Sequence, residues 1–260
     1  MAATTDDPLV DQLQSAWESR TPIEPDGGPS TLAEGYAVQA SFVARNGPTC
    51  GYKVGMTNEA IQQNFGIDAP VTGRLWANRV FANGATVPVP GKLGLIAEPE
   101  FAYRMGADLV ADSAPFSGDQ VSAAIESIMP ALEIVEPRLR GASAGNVAMI
   151  VADNVMNSAW VSGRPIQDWS PYLLAGQEVI ASINGEEISR GNGAAVLGDP
   201  LRVMVWLGND LAARGESLRA GDVVTTGCCT DVLRPGANDE VRADFGALGA
   251  VSVRFSRVAD

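Results

Sequence analysis

From Gly51 onward, the chain consists of short apolar runs interrupted by glycine, proline and asparagine. Runs of this length are typical of β-strands, because helices of globular proteins usually span about ten residues or more. They do not alternate regularly with helical segments, so a doubly wound parallel sheet is disfavoured. Pro88 lacks a backbone donor and confines its own run to a sheet edge. The candidate strands are residues 51–56, 85–89, 95–103, 131–136, 178–183, 223–226, 241–245 and 250–255.

Local signals add a hairpin and two helices to this β-rich region. Asn184-Gly185 suits a type I′ turn and predicts a β-hairpin. Asp199 precedes a proline, which predicts a capped helix that runs to about residue 214. Residues 118–129 form another candidate helix.

Two helices are predicted before the β-rich region. Residues 6–20 place their apolar side chains on one helical stripe. Thr31 and Glu34 form a capping box at the start of the second helix. We expect these helices to form a small lobe, residues 1–50, next to a catalytic domain of residues 51–260.

The charge balance excludes several classes of partner. The chain has 260 residues with 18 lysines and arginines against 31 acidic residues, a formal charge of −13. Such a charge repels nucleic acids and anionic membrane surfaces. No apolar run approaches the roughly 20 residues that cross a bilayer, and the first residues do not resemble a signal peptide. Three cysteines, an odd number without a CxxC motif, argue against a disulfide framework. We expect a cytoplasmic protein.

The chain contains no histidine. This excludes Ser-His-Asp and Cys-His catalysis, zinc sites of the HExxH type, and water activation by a His-Glu pair. Acid–base chemistry must therefore come from carboxylates, lysine, tyrosine, cysteine or a metal-bound water.

Three glutamates form a candidate metal site. Glu98 and Glu100 lie two residues apart in an apolar, strand-like run, so their side chains share one face. Two adjacent carboxylates repel each other unless a cation or a shared proton lies between them. Glu133 lies in another apolar run, and the three together suit a hard divalent ion, Mg²⁺ or Mn²⁺.

Two alternatives compete with this metal site. An exposed edge strand would also place Glu98 and Glu100 side by side, and for this pair alone the two interpretations are equally good. The apolar neighbours of Glu133 favour the metal. Glu136 is the nearest alternative ligand, but Pro137 follows it and Arg138 can pair with it, which predicts a solvated strand end.

Lys53 is a candidate catalytic group. Lys53 and Lys92 are the two lysines among 18 cationic residues, and Lys53 lies in an apolar run. Lysine offers a compact ammonium whose pKa shifts on burial, which arginine cannot provide. Chance explains this placement equally well.

Several segments, taken in chain order, resemble the 2-keto-4-pentenoate hydratase and 4-oxalocrotonate decarboxylase branch of the fumarylacetoacetate hydrolase superfamily. They are residues 51–57 (GYKVGMT), the pair Glu98 and Glu100, residues 130–135 (PALEIV), residues 151–154 (VADN), and a C-terminal stretch that contains GAAVLG at 193–198, RAGDVV at 219–224 and VRADF at 241–245.

This resemblance implies an α/β fold with a mixed, rolled β-sheet core, a small helical N-terminal lobe and a homo-oligomeric assembly. It implies one Mg²⁺ or Mn²⁺ held by the three matching glutamates, and a small 2-oxo acid substrate. Lys53 would stabilise the enolate or move a proton. The implied substrate contacts are Arg74, Asp153, Asn154, Thr226 and Gly227.

Departures from the family pattern bear on the reaction. Hydratases of this branch typically carry an acid immediately before Gly73, where this chain has Thr72. Asp68, four residues upstream, is the nearest acid and the candidate base. Arg74 is the candidate cation for the second carboxylate of a diacid. Cys228-Cys229 replaces a loop of small residues, and tight packing is favoured there over a reactive thiol.

Three functions remain open at this point. A hydratase would add water to a 2-hydroxydienoate after its conversion to the unsaturated 2-oxo acid. A decarboxylase would release CO₂ from an unsaturated 2-oxo diacid. A specialised, non-catalytic relative would keep the metal site and lose the chemistry. Family frequency favours the hydratase.

Overall fold

A computed structural model describes residues 7–89, 93–169 and 171–257, so Lys92 lies outside the described residues. Its helices are α1 (Pro8–Ser19), α2 (Leu32–Arg45), α3 (Glu59–Phe65), α4 (Gly118–Ala124), α5 (Val147–Ala152), α6 (Pro171–Leu174) and α7 (Pro200–Ala213). Its strands are β1 (Thr49–Gly55), β2 (Val71–Trp76), β3 (Val80–Ala82), β4 (Ala85–Val89), β5 (Ile96–Met105), β6 (Ile125–Val135), β7 (Asn157–Ser162), β8 (Glu178–Ile183), β9 (Glu186–Asn192), β10 (Val223–Cys228), β11 (Glu240–Asp244) and β12 (Ala250–Arg257).

The strands form two mixed sheets. A seven-stranded sheet has the order β2-β1-β10-β5-β6-β7-β3, and a five-stranded sheet has the order β4-β12-β11-β8-β9. The apolar core lies between them, where Phe101 of β5 meets Phe245 edge to face with ring centroids 5.1 Å apart. The predicted α/β class with a mixed β core is confirmed.

Several local predictions hold. β4, which contains Pro88, lies at the edge of its sheet, as a strand without that backbone donor must. Asn184 and Gly185 connect β8 to β9 with positive φ angles of 52° and 84°, the conformation that a type I′ turn requires. Asp199 caps α7 through its side chain.

One predicted helix is wrong in its second half. Residues 118–129 were expected to be helical, but α4 ends at Ala124 and β6 begins at Ile125. β6 is buried along almost its whole length, so both of its faces are apolar and no alternation distinguishes it from a buried helix. For the same reason, the sequence patterns missed β2 and β7, whose burial is also nearly continuous.

The two N-terminal helices share a core with the rest of the molecule. The capping box of Thr31 and Glu34 is present at the start of α2. Trp17 of α1 packs against Trp76 of β2, with ring centroids 4.9 Å apart. The division into a lobe of residues 1–50 and a domain of residues 51–260 stays a prediction. Within the described ranges, no helix is long and apolar enough to cross a membrane.

Candidate metal centre and substrate cavity

The register of β5 and β6 brings the three glutamates together. Glu98 lies directly opposite Glu133 in the antiparallel pair, and Glu100 follows two residues later on the same face. One carboxylate oxygen from each residue lies within 4.8 Å of the others. β5 is an interior strand between β10 and β6, so the alternative of an exposed edge strand is wrong.

Neighbouring elements orient two of these carboxylates. Thr225 Oγ1 and the Gly227 amide both donate to Oε2 of Glu100, the latter at 2.8 Å. Asn157 Nδ2 donates to Oε1 of Glu133 at 2.9 Å. Oε1 of Glu100 is buried and accepts no hydrogen bond from any described residue. A buried acceptor without a donor is costly, and a bound cation would remove that cost.

Lys53 supplies a positive charge beside the three acids. It lies on β1, opposite Thr225 of β10, with Nζ 3.1 Å from Oε2 of Glu133 and 3.4 Å from the Val155 carbonyl oxygen. Burial lowers the pKa of Lys53, but the facing glutamates outweigh it and raise that pKa overall. Lys53 is therefore an ammonium that donates to the site.

The acids outnumber the base. Burial raises the pKa of Glu98 to about 7, against the opposing effect of Lys53. Burial and the charges of Glu133 and Glu98 raise the pKa of Glu100 well above its ordinary value. A divalent cation would balance the excess negative charge, and an all-oxygen donor set suits a hard ion. The chemistry of these residues fits a divalent metal ion.

Strained backbone lies next to this cluster. Asn154, Val155 and Met156 have positive φ angles of 52°, 49° and 60° in succession. This conformation is costly for a β-branched residue such as Val155, and strain of this kind is often retained at functional sites. Gly227 has a φ of 101°, and a Cβ on it would lie 2.0 Å from Thr57 Oγ1. Glycine is therefore required where the chain turns its amide towards Glu100.

A cavity of about 590 Å³ opens at Glu98. Thr57, Asn58 and Ala195 also line a neighbouring cavity of about 550 Å³, and the two cavities together are called the cleft below. The cavity at Glu98 is further lined by residues that include Met56, Ile61, Arg190, Gly227, Cys228, Asp231 and Val232. Burial raises the pKa of the Cys228 and Cys229 thiols, which favours packed cysteines over reactive thiolates.

Three residues predicted in the site lie elsewhere. Asp68 is exposed in the loop between α3 and β2 and lines neither part of the cleft. Thr72 and Arg74 lie opposite Val54 and Tyr52, which alternate with Lys53 along β1. Their side chains therefore point to the opposite face of the sheet from the carboxylates.

Other predicted contacts stabilise the backbone. Asp153 pairs with Arg138 in the protein interior. Asn154 accepts a hydrogen bond from the Arg74 amide at 2.7 Å and donates to the Arg74 carbonyl at 2.9 Å. Thr226 donates to the Phe101 carbonyl at 2.8 Å. Of the five predicted substrate contacts, Gly227 is the one that both touches the carboxylates and lines the cleft.

Glu136 needs a correction of a different kind. It was expected to be solvated and paired with Arg138. It is buried instead, where it accepts hydrogen bonds from Arg20 and from Ser158. Arg20 lies 116 positions away in sequence, so no local pattern could have indicated this partner.

Sequence reasoning missed two residues that orient the carboxylates. Thr225 reaches Glu100 because β10 lies beside β5, a neighbour relation between distant segments. Asn157 is not among the predicted site residues, yet its side chain binds Glu133. The nearby signal was the VADN segment at residues 151–154, which indicates Asn154 and ends three positions before Asn157.

Comparison with known families accounts for this arrangement. A family model described as fumarylacetoacetate (FAA) hydrolase C-terminal matches residues 43–256. The chain belongs to the fumarylacetoacetate hydrolase family.

Relatives within the fumarylacetoacetate hydrolase family carry two names. A 2-keto-4-pentenoate hydratase of Burkholderia vietnamiensis is 34% identical over an alignment of 258 positions, which covers 95% of this chain and 96% of that protein. A 4-oxalocrotonate decarboxylase of Pseudomonas putida is 30% identical over 86% of each chain. The solved structure of a Pseudomonas putida G7 4-oxalocrotonate decarboxylase, complexed with magnesium and adipate, has a TM-score of 0.85 at 28% identity and 95% coverage of both chains.

Proposed function

We propose that this family member is a divalent-metal-dependent hydratase, a hydro-lyase that converts a 2-hydroxydienoate into a 4-hydroxy-2-oxo acid. The observation that carries the proposal is the convergence of Glu98, Glu100 and Glu133 beside the Lys53 ammonium. The similarity to 2-keto-4-pentenoate hydratases over nearly the whole chain supports the same reaction.

The three glutamates would hold Mg²⁺ or Mn²⁺. Their oxygens lie close enough to share one ion, and Oε1 of Glu100 has a free lone pair in the protein interior. The ion, when bound, supplies Lewis-acid polarisation of the substrate's carboxylate and 2-oxygen. Thr225 and Asn157 keep the ligand oxygens of Glu100 and Glu133 in place by donating to their other oxygens.

The reaction has two steps. In the first, the 2-hydroxyl of the dienoate loses its proton and the terminal carbon gains one, which gives an unsaturated 2-oxo acid. In the second, a water oxygen bonds to C4 and C3 takes a proton. Lys53 can hold a proton at Nζ and places positive charge where the enolate oxygen develops negative charge.

Asp231 is the better candidate for handling the attacking water. Asp68 is exposed outside the cleft, whereas Asp231 lines the same cavity as Glu98. A carboxylate there can orient or deprotonate water without binding the metal. Asp231→Asn should lower kcat for hydration and leave the Kd for Mn²⁺ unchanged, and a weakened Mn²⁺ affinity would contradict this role.

A decarboxylase is the second candidate. Arg190 lines the cavity at Glu98 but already pairs with Glu178 and Glu187. Arg202 lines the adjoining cavity, and no ion pair joins it to a carboxylate within the described ranges. This cation could receive the second carboxylate of an unsaturated 2-oxo diacid, whose C–CO₂ bond would break with its electron pair moving to the 2-oxygen.

We also infer a homo-oligomer in the cytoplasm. The family resemblance supports the assembly, and three free cysteines suit a reducing compartment. Light scattering of the purified protein would test the assembly, and a monomer at working concentration would contradict it.

One experiment separates the two reactions. Purified protein with Mg²⁺ is given 2-hydroxypenta-2,4-dienoate and, separately, 2-oxohex-3-enedioate, while hydrated product and CO₂ are measured. We expect hydration of the first without CO₂ from the second, loss of activity with a chelator, and recovery with Mg²⁺ or Mn²⁺. Release of CO₂ by the unmodified protein, with a lower rate in Arg202→Gln, would establish the decarboxylase. Full activity in the presence of a chelator would contradict both metal-dependent reactions.

A further inference from the structure

A second cavity lies on the face of the seven-stranded sheet opposite the carboxylates. Its volume is about 540 Å³, and it lies between α2, the β1–β2 pair and the end of α7. Thr72 and Arg74 of β2 face this cavity, together with Tyr52 of β1. The sequence pattern associated Thr72 and Arg74 with the active site. In the structure they line this second cavity instead.

Two guanidinium groups are held in place by tyrosine rings. Arg74 lies over Tyr52, with Cζ 4.0 Å from the ring centroid. Arg214 lies over Tyr36 at 4.4 Å. Stacking of this kind fixes the plane of the fork that arginine offers to a carboxylate.

Neighbouring hydroxyls support the same positions. Arg74 Nη2 donates to Thr49 Oγ1 at 2.9 Å, and Arg214 Nη2 donates to Thr72 Oγ1 at 3.1 Å. Asp210 also accepts from Arg214 Nη2, at 2.7 Å. The Nη1 groups of both arginines and the Nε of Arg214 are not used by these bonds. Nε of Arg214 is buried and has no hydrogen-bond acceptor among the described residues.

Glu216 lies between the two arginines but binds neither closely. Its carboxylate oxygens are 3.7 Å from Arg74 Nη1 and 3.5 Å from Arg214 Nη1, beyond good N–H···O distances. Its side chain is 43% exposed, so it can turn into solvent at little cost. This carboxylate marks the position that a better-placed anion would take.

One wall of the cavity is a face of α2 that is rich in alanine. α2 contributes alanines at successive turns of one helix face, which leave room for a thin ligand. These are Ala33, Ala37, Ala40 and Ala44. A planar group can lie along this wall with its polar end at Arg74 and Arg214.

We propose that this cavity binds a small planar carboxylate. The ligand's carboxylate replaces that of Glu216 between Arg74 and Arg214, and its ring lies along the alanines of α2. The site is distinct from the metal centre, because Tyr52 and Lys53 are adjacent on β1 and face opposite sides of the sheet. The proposal does not depend on which reaction the metal centre performs.

Calorimetric titration of the full-length protein with benzoate tests this proposal, in the presence and absence of a chelator. We expect saturable one-site binding in both conditions. Arg214→Gln should weaken it about 10- to 100-fold, the range for losing hydrogen bonds to a charged group. Glu216→Gln should strengthen it about two- to fivefold, because an exposed competing ion pair is lost. Ala40→Leu should abolish binding by filling the slot.

A matched control distinguishes the two cavities. Arg190→Gln removes an arginine from the cavity at Glu98 and should leave the benzoate affinity unchanged. Circular dichroism checks that each variant is folded, and Glu216→Gln and Ala40→Leu remain informative if Arg214→Gln is not. The proposal is overturned if benzoate does not bind, if Arg190→Gln removes binding, or if Ala40→Leu changes the oligomeric state instead of the affinity. The last result would identify this second cavity, beside α2, as a contact between subunits.

Discussion

Two buried clusters of charged side chains lie in this fold, and they differ in charge balance. The carboxylate cluster has one buried base and three acids, whereas the arginine cluster has three bases and two acids. The carboxylate cluster comprises Lys53, Glu98, Glu100 and Glu133, and the arginine cluster comprises Arg20, Arg79, Arg138, Glu136 and Asp153. In both clusters, a buried carboxylate oxygen accepts no hydrogen bond from any described residue. Hydrogen bonding therefore does not distinguish the two clusters, whereas their net charge does.

The arginine cluster is complete in itself. Arg138 donates from Nε to the Asp153 carboxylate, from Nη2 to the Asp153 carbonyl at 2.8 Å, and from Nη1 to the Asn157 carbonyl at 3.0 Å. Trp17 and Phe42 cover its guanidinium, with centroids 5.2 and 5.7 Å away. A covered network of this kind, in which arginines match every acid, joins the N-terminal helices to the sheet and needs no cation.

The carboxylate cluster is incomplete without a cation. Its charges do not cancel, and it opens into a cleft large enough for a small substrate. Buried acids alone therefore do not identify a functional site, whereas acids that outnumber the neighbouring bases and face a cavity do.

The largest expected effect is on stability, in the arginine cluster. Arg138→Met leaves Asp153 buried without its partner and should lower the free energy of unfolding by about 3–5 kcal/mol. Urea denaturation measures this. The exposed pair of Arg254 and Glu240 provides the control, because Arg254→Met should cost less than about 1 kcal/mol. Equal losses of unfolding free energy in the two variants would show that burial does not increase the contribution of the Arg138–Asp153 pair to stability.

The next effect is on catalysis, in the carboxylate cluster. Lys53→Met removes the cation beside the reacting oxygen and should lower kcat by about 10²-fold, the scale of losing one charge-stabilising donor. Lys53→Arg should also be impaired, because a planar fork cannot occupy the position of an ammonium. Steady-state kinetics at saturating Mg²⁺ measure both. A near-normal kcat in Lys53→Met would reduce Lys53 to a structural counter-charge.

A smaller effect is expected where the two clusters meet. Asn157 donates from its side chain to Glu133, while its main-chain carbonyl accepts from Arg138. Asn157→Ala should therefore weaken Mn²⁺ binding by about 10- to 100-fold and leave the arginine cluster intact. Calorimetry gives the affinity. Asn154→Ala is the matched control, because its side chain binds the backbone of β2 and should affect stability without affecting the metal.

The sequence predicted what depends on local periodicity. Glu98 and Glu100 share a face because of strand geometry, and Glu133 was recognisable from its apolar neighbours. The register that places Glu98 opposite Glu133 comes from the pairing of β5 with β6. No pattern within either strand specifies that register, although it is what makes the three acids a site.

Strand order and orientation could not be predicted from the sequence, and β2 shows why. β2 is buried on both faces, so its sequence does not reveal which of Thr72, Gly73 and Arg74 points to the carboxylates. Pairing with β1 assigns that face to Gly73, opposite Lys53. A Cβ at Gly73 would lie 3.0 Å from the Lys53 side chain, so the residue that belongs to the site is the one without a side chain.

The smallest expected effect separates the clusters by their response to pH. Burial raises the pKa of Glu98 from 4.5 to about 7, and that of Asp153 from 3.8 to about 6. The folded protein therefore binds these protons more tightly than the unfolded chain, and the stability of the metal-free protein should fall as the pH rises through these ranges. We expect Glu98→Gln to remove the share of this fall that Glu98 contributes below pH 7, on the order of 1 kcal/mol per pH unit, while the shares of Asp153 and Glu100 remain. Urea denaturation at several pH values in the presence of a chelator measures this change in stability.

Saturating Mg²⁺ should reverse the slope of stability against pH between pH 6 and 7 in the unmodified protein alone, because the metal binds the ionised carboxylates. A stability that is independent of pH in chelator would mean that the three acids carry no uncompensated charge.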